Sequence, residues 1–316
     1  MPQAAAFFPV YPALVHGVAW ATGSILVAGV LVSLVSGAAG AWVLAQLARP
    51  LLGARGAHDA VLYLALYPVG FVLTSLYSEG LFLALACGSF LAAMRGRPLL
   101  AGVLGGFATG TRLIGLALLP ALALLLWRGR DPRSLVRLAP LALLPAAVGL
   151  YALYLDHALG DPWAFTSAQA DWNRDASPLG PLAGIKDAIL AAGTGLNDLL
   201  DLPAAGPGHD QRVGLWNLSH LALLAAAVWL TWVAWRRLGP AFGAYSAATL
   251  AIVLSAPAAG FPLVSLPRFL LADFPLFLAL AALTQDRPRA RDALLAAFAA
   301  LGAVAAAAFA RGIWIA

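Results

Sequence analysis

Glu79 is the only glutamate in the chain, and it follows Tyr77 and Ser78 at the start of an apolar run. Two arginines stand where apolar runs meet. Arg112 follows Ala108-Thr109-Gly110-Thr111, and Arg268 follows Pro267 and precedes Phe269. Ionisable residues at membrane depth are functional candidates by default. Both arginines are expected at helix N-termini, where the helix dipole disfavours a cation by roughly 0.3–1 kcal/mol. A penalty accepted twice points to an anionic partner. Glu79 then faces a polar cavity, paired with one of the two. Each residue also has a plainer alternative. The arginines can snorkel to the interface, and Glu79 can cap the helix that it opens.

A second group lies between two apolar runs. It reads Gly160-Asp161-Pro162-Trp163-Ala164-Phe165, then Gln169-Ala170-Asp171-Trp172-Asn173-Arg174-Asp175. Aromatics interleaved with acids and amides suit a sugar, which offers apolar faces to stack and hydroxyls to bond. They also suit the aromatic belt of a membrane interface. His16, His58, His157, His209 and His220 are scattered, and no pair has metal-ligand spacing. Zinc-protease, paired-cysteine and phosphate-loop motifs are absent, as is a nucleophile elbow. No metal ligand is assigned, and a divalent-metal requirement is left open.

The elements that position these residues are membrane helices. Of 316 residues, 62% are hydrophobic and 10% charged, and the mean hydropathy is +0.86. A soluble domain is about 45–50% apolar and about 25% charged. This composition excludes a soluble enzyme, a disordered chain and a disulfide scaffold, and Cys87 stands alone. The net charge of +5 does not indicate nucleic acid, because most of the arginines cluster between apolar runs. Ten apolar spans are predicted, roughly at 23–47, 60–75, 79–94, 98–111, 113–127, 138–157, 215–236, 242–258, 269–284 and 293–311. The pair 98–111 and 113–127 fits either a hairpin or one kinked helix. Several spans fall below the ~17–25 residues of a straight crossing.

Five clusters hold 13 of the 19 basic residues: Arg49 and Arg55; Arg95 and Arg97; Arg128, Arg130, Arg133 and Arg137; Arg236 and Arg237; Arg287, Arg289 and Arg291. With ten crossings all five fall on one side, which is cytoplasmic by the positive-inside rule. The long connection, about 158–214, is then extracytoplasmic. That outer side holds most of the acids, with Asp187, Asp198, Asp201 and Asp210 in the long connection beside a Pro/Gly-rich turn at 202–208. The expected architecture is an all-α polytopic membrane protein, residues 1–316 forming one membrane domain. Residues 13–22, with His16 and Trp20, look interfacial. The segment Phe7-Phe8-Pro9-Val10-Tyr11-Pro12 must start outside the membrane without a signal peptide. This predicts a spanning helix upstream of Met1; a spontaneously inserting N-terminus is the alternative.

Several segments together resemble the PIG-V-like mannosyltransferases, membrane glycosyltransferases of the GT-C type. They are Ala6 to Pro12; Leu66-Tyr67-Pro68 with Tyr77-Ser78-Glu79; Arg95-Gly96-Arg97-Pro98 through Arg112; and Ser265-Leu266-Pro267-Arg268-Phe269-Leu270-Leu271. Gly160-Asp161-Pro162 with Gln169, Trp172 and Arg174 also fits. The resemblance implies a GT-C-like fold. It also implies transfer of a hexose, typically mannose, from a polyprenyl-phosphate sugar to an acceptor hydroxyl on the outer face, with inversion at the anomeric carbon. In the family a Trp-Asp motif in the first external loop precedes the Phe-Phe-Pro segment. The chain begins after that point, so the family's first helix and its base are expected upstream.

On this resemblance Arg112, Arg268 and Arg174 are the candidate donor-phosphate ligands, with Lys186 behind them. Glu79 would orient an arginine or bind sugar hydroxyls. Tyr11, His16, Tyr77, Gln169 and Trp172 would line the substrate. The expected partners are the bilayer, a lipid-linked sugar donor and a glycan or glycolipid acceptor. In a prokaryote the location would be the plasma membrane, with the site extracytoplasmic. A transporter or lipid-carrier flippase and an inactive truncated subunit are the alternatives. A transporter predicts internal repeats with matching broken helices, and no clear pair is visible.

Overall fold

The computed structural model describes residues 2–127, 129, 133–174, 176–200 and 211–313. Arg128, Arg130, Asp175, Asp201, His209, Asp210 and the 202–208 turn lie outside the described residues, as do the side chains of Arg133, Trp172 and Asp198. The described secondary structure is helical, with one isolated antiparallel bridge between Arg174 and Ala258.

Helix α1 (Val10–Thr22) is stopped by Gly23 in the left-handed conformation. Ser24 then caps α2 (Ile25–Leu66), its hydroxyl accepting from the Val27 amide. The 42 residues of α2 include Pro50 and a break at Gly53, with φ 71° and ψ −176°. The stretch is thus two helices meeting at a kink, in keeping with the separate expected spans 23–47 and 60–75; the second ends at Leu66, and a 3-10 turn over Gly70–Thr74 follows. Pro50 removes a helical N–H, and Gly53 adopts a backbone shape that residues with a Cβ avoid.

Helices α3 (Glu79–Met94) and α4 (Pro98–Thr111) match the expected spans. Pro98 at the first turn is pre-shaped for a helix start. The chain leaves α4 through an extended Arg112, makes a 3-10 turn over Leu113–Ala117 and enters α5 (Leu118–Leu126). A Cβ on Gly115 would stand 2.6 Å from the Thr109 Cα. The chain therefore doubles back on the end of α4, which selects the hairpin over the single kinked helix. Then come α6 (Arg133–Leu138) and α7 (Leu143–Leu159).

The long connection holds α8 (Ala164–Ser167), a 3-10 turn over Ala168–Trp172 and α9 (Pro181–Leu199). The inward face of α9 is small, with Ala183, Ala188 and Ala192 buried. Helix α10 (Gln211–Arg237) has 27 residues and α11 (Pro240–Leu254) has 15. The expected span 269–284 is broken at Asp273 into α12 (Leu266–Leu271) and α13 (Phe274–Thr284). Helix α14 (Pro288–Ala310) ends the described chain.

Among the described residues, four helices are long and apolar enough to cross a membrane, and five shorter ones are also apolar. Because α2 carries two of the ten expected segments, all ten have a counterpart. The short helices lie inside the bundle, where protein covers their backbone. Phe82, Leu83 and Phe90 of α3 and Phe274 and Leu278 of α13 are fully buried. Phe90 packs 5.2 Å from Phe274 and 5.0 Å from Phe242. At the opposite extreme, α14 buries no residue. It leans on α2 through Arg291, whose Nε donates to the fully buried Asp59 at 2.8 Å. Phe298 stacks edge-on against Tyr67 at 5.6 Å.

Candidate functional site

Glu79 is the first residue of α3 and its side chain is 1% exposed. Its depth is set by a close helix contact. A Cβ on the neighbouring Gly80 would stand 2.8 Å from the Leu73 carbonyl and 3.0 Å from the Gly37 amide. Only glycine lets α3 start this close to α2. The Glu79 carboxylate forms an ion pair with Arg112 Nη1 and lies 3.3 Å from Arg268 Nε. The two arginine side chains are 14% and 19% exposed. Glu79 is thus both a helix-opening acid, favoured by the dipole, and the counter-ion of two buried cations.

The two arginines do not stand at the N-termini of long helices. Arg112 ends α4, its amide still bonded to the Ala108 carbonyl at 3.0 Å. The dipole favours a cation there, by about 0.3–1 kcal/mol. Arg268 sits inside α12, a six-residue helix too short to separate a first turn from a last. The dipole argument for an anionic partner therefore fails at both positions. What replaces it is convergence, because a third arginine joins them.

Arg174 arrives from the long loop. The Asn173 carbonyl accepts from the Ala259 amide at 3.0 Å, and the Ser255 carbonyl accepts from the Ser177 amide at 3.0 Å. These two ties lay the loop against the segment before α12. A guanidinium Nη2 of Arg174 donates to the Val264 carbonyl. The guanidinium carbons of Arg174, Arg112 and Arg268 lie 5.0, 5.6 and 5.8 Å from the centre of the Phe269 ring. Burial, then the charges of Arg268 and Arg112, push the Arg174 pKa down to about 10. At neutral pH it stays protonated beside two like charges.

Two backbone features frame the cluster. Among the described residues, Asn173 (φ 53°) and Ser265 (φ 65°) are the non-glycine residues with positive φ. Asn tolerates this region and Ser less so. Asn173 directly precedes Arg174, and Ser265 is the N-cap of α12. Residues held in sparsely populated backbone regions cluster at active sites and ligand clamps.

The other candidates divide. The Tyr11 hydroxyl shares a 2.7 Å hydrogen bond with Ser33, whose hydroxyl donates to the Tyr77 carbonyl at 3.4 Å. The Tyr77 ring lies 5.5 Å from the Arg268 guanidinium carbon. Tyr11 and Tyr77 thus join the edge of the cluster. Gln169 is half-buried, and its carbonyl accepts from the Arg174 amide at 3.2 Å. Trp172 ends the adjoining 3-10 turn. His16 is exposed on α1, and Lys186 lies on α9; no described contact joins either to the cluster. Trp163 is 61% exposed, in keeping with an interfacial belt. Ser33 and Phe269 are additional members. Ser33 could be found as a hydroxyl in an apolar run, and Phe269 only as the neighbour of Arg268.

Among the described residues, no group of three or more His, Cys, Asp or Glu could hold a metal ion. An apolar cavity of about 640 Å³ lies between α1, α4 and α7. Pro9, Val10, Gly110 and Tyr151 are among its lining residues, and Val10 and Gly110 adjoin Tyr11 and Arg112 in the chain.

No protein-family model matches the chain. No curated protein matches it in sequence. Among solved structures, the fold is similar to that of ArnT from Cupriavidus metallidurans, determined with undecaprenyl phosphate bound. The TM-score is 0.55 at 19% identity, over 90% of this chain and 50% of ArnT. The chain therefore spans half the length of that protein. At this identity the likeness shows the fold alone, and that fold is the GT-C-like, all-helical membrane architecture.

Proposed function

We propose that the chain is a membrane glycosyltransferase, or the membrane half of one, that uses a polyprenyl-phosphate sugar. It moves a hexose, mannose by the PIG-V-like resemblance, to an acceptor hydroxyl on the extracytoplasmic face. One observation carries this reading: Arg112, Arg174 and Arg268 converge on one spot with Glu79 as their only described carboxylate. Among the described residues, three guanidiniums face one carboxylate, so positive charge is in excess there. Buried charges of one sign call for a partner of the other, and guanidinium forks match phosphate oxygens. The ArnT structure, which holds a polyprenyl phosphate within a similar fold, supports the choice of donor.

The chemistry follows from where charge develops. As the bond from the anomeric carbon to the phosphate oxygen breaks, negative charge grows on the lipid phosphate. Fixed cations in a water-poor site stabilise that charge without reorganising. Phosphate leaves readily, so no general acid is needed. Glu79 holds Arg112 and Arg268 in place. Tyr11, Tyr77 and Gln169 border the sugar and acceptor space, and the apolar cavity suits an isoprenoid tail. Attack by an acceptor hydroxyl from the opposite side inverts the anomeric centre, and its proton passes to the departing lipid phosphate or to water.

The test is transfer of labelled mannose from polyprenyl-phosphate mannose by membranes that hold the protein. Arg268→Ala is expected to lower transfer by about tenfold or more at unchanged expression. Wild-type transfer by that variant would remove Arg268 from the phosphate site. Solute movement into proteoliposomes with no covalent product would favour a transporter.

A further inference from the structure

Phe269 carries no charge and no polar atom, yet the three arginines meet at its ring. An aromatic ring has two faces, so at least two of the three guanidiniums share one. Glu79 offsets part of the repulsion, because it pairs with Arg112 and Arg268. It does not account for Arg174. Among the described residues, Arg174 is held by the Val264 carbonyl and the Phe269 ring. The face of an aromatic ring is electrostatically negative and attracts guanidinium groups. The ring is therefore one feature that all three cations share.

We propose that Phe269 is a positioning residue, whose ring gathers Arg112, Arg174 and Arg268 into one anion-binding array. The proposal deepens the donor-phosphate reading above and rests on it. The local fold delivers the ring with one of its cations. Ser265 turns the backbone, Pro267 lies in the first turn of α12, and Arg268 and Phe269 follow in succession. Phe269 is only half-buried. An apolar filler there could equally be leucine or methionine; what leucine lacks is the negative ring face.

Phe269→Leu, Phe269→Met and Phe269→Tyr in the full chain, purified in detergent, separate the two roles. The first readout needs no ligand. Nuclear magnetic resonance of nitrogen-labelled arginine is expected to show Nε–H signals displaced by the ring in wild type and Phe269→Tyr. Those signals should return to ordinary positions in Phe269→Leu or Phe269→Met, with helix content retained. The second readout is affinity for undecaprenyl phosphate against uncharged undecaprenol. Loss of the ring is expected to weaken phosphate binding about tenfold and leave the alcohol unchanged, while Phe269→Tyr stays within about threefold.

Arginine signals unmoved by the apolar variants would overturn the proposal. So would a wild-type phosphate preference in those variants, or equal loss of both ligands. A wild-type protein with no preference for the phosphate over the alcohol would overturn the donor reading instead. The arginine signals would then still decide whether the ring orders the array.

Discussion

Glu79 pairs with two guanidiniums from a site that is 1% exposed. Removing one partner of a buried ion pair leaves the other charge uncompensated, at about 3–5 kcal/mol. Glu79→Gln is therefore expected to destabilise the fold in detergent by an amount of that order, read as a lower unfolding midpoint. Arg174 behaves in the opposite sense. Its folded pKa of about 10 lies below the ordinary guanidinium value, so the charged form works against folding at neutral pH. That penalty is relieved as pH rises through the folded value. Arg174→Gln is expected to raise the melting temperature of the ligand-free protein while weakening phosphate binding. In the wild type, binding should stay flat from neutral pH to about 9 and fall above about 10, as Arg174 loses its proton. A titration of lipid-phosphate affinity against pH checks this. Glu79, Arg112 and Arg268 were legible in the sequence because each is rare in its surroundings. Their convergence was not. Residues 79 and 268 meet only through packing, and the left-handed Ser265 that shapes α12 has no sequence signal.

Element boundaries were legible where punctuation is strong. Pro98 opens α4, and Arg95-Gly96-Arg97 separates it from α3. The break within α2 was legible too, because Arg49, Pro50, Gly53 and Arg55 punctuate the run and the kink falls at Gly53. Helix α9 was not predicted: its Leu182, Ile185, Ile189 and Leu196 recur at helical spacing, but they are exposed and its buried face is alanine. The same scale carries a prediction about α14. It buries nothing of its own and is pinned by Arg291 to the buried Asp59. Arg291→Ala removes the guanidinium from that carboxylate and leaves it only His58 at 3.6 Å, at a cost of up to about 3 kcal/mol. Limited proteolysis in the 285–287 connection is expected to accelerate, with cuts elsewhere unchanged.

Taken as a whole, the molecule has a testable orientation. Cys87 is its only cysteine and is buried, so any new surface cysteine reports alone. Arg97 lies in a basic connection and Trp163 in the long loop, and both are exposed. An impermeant maleimide applied to intact cells is expected to label Trp163→Cys, and to label Arg97→Cys only after permeabilisation. The charge count of the site reaches further, into how the proposed reaction would cycle. Among the described residues, the arginine array exceeds Glu79 by two positive charges. A sugar phosphodiester brings one negative charge, whereas the phosphate monoester left after transfer carries about −1.5 to −2. The spent carrier therefore fits the array better than the fresh donor does. Turnover would be paced by departure of the lipid, with a fast first round, a slower steady rate and inhibition by added carrier in rapid-quench measurements.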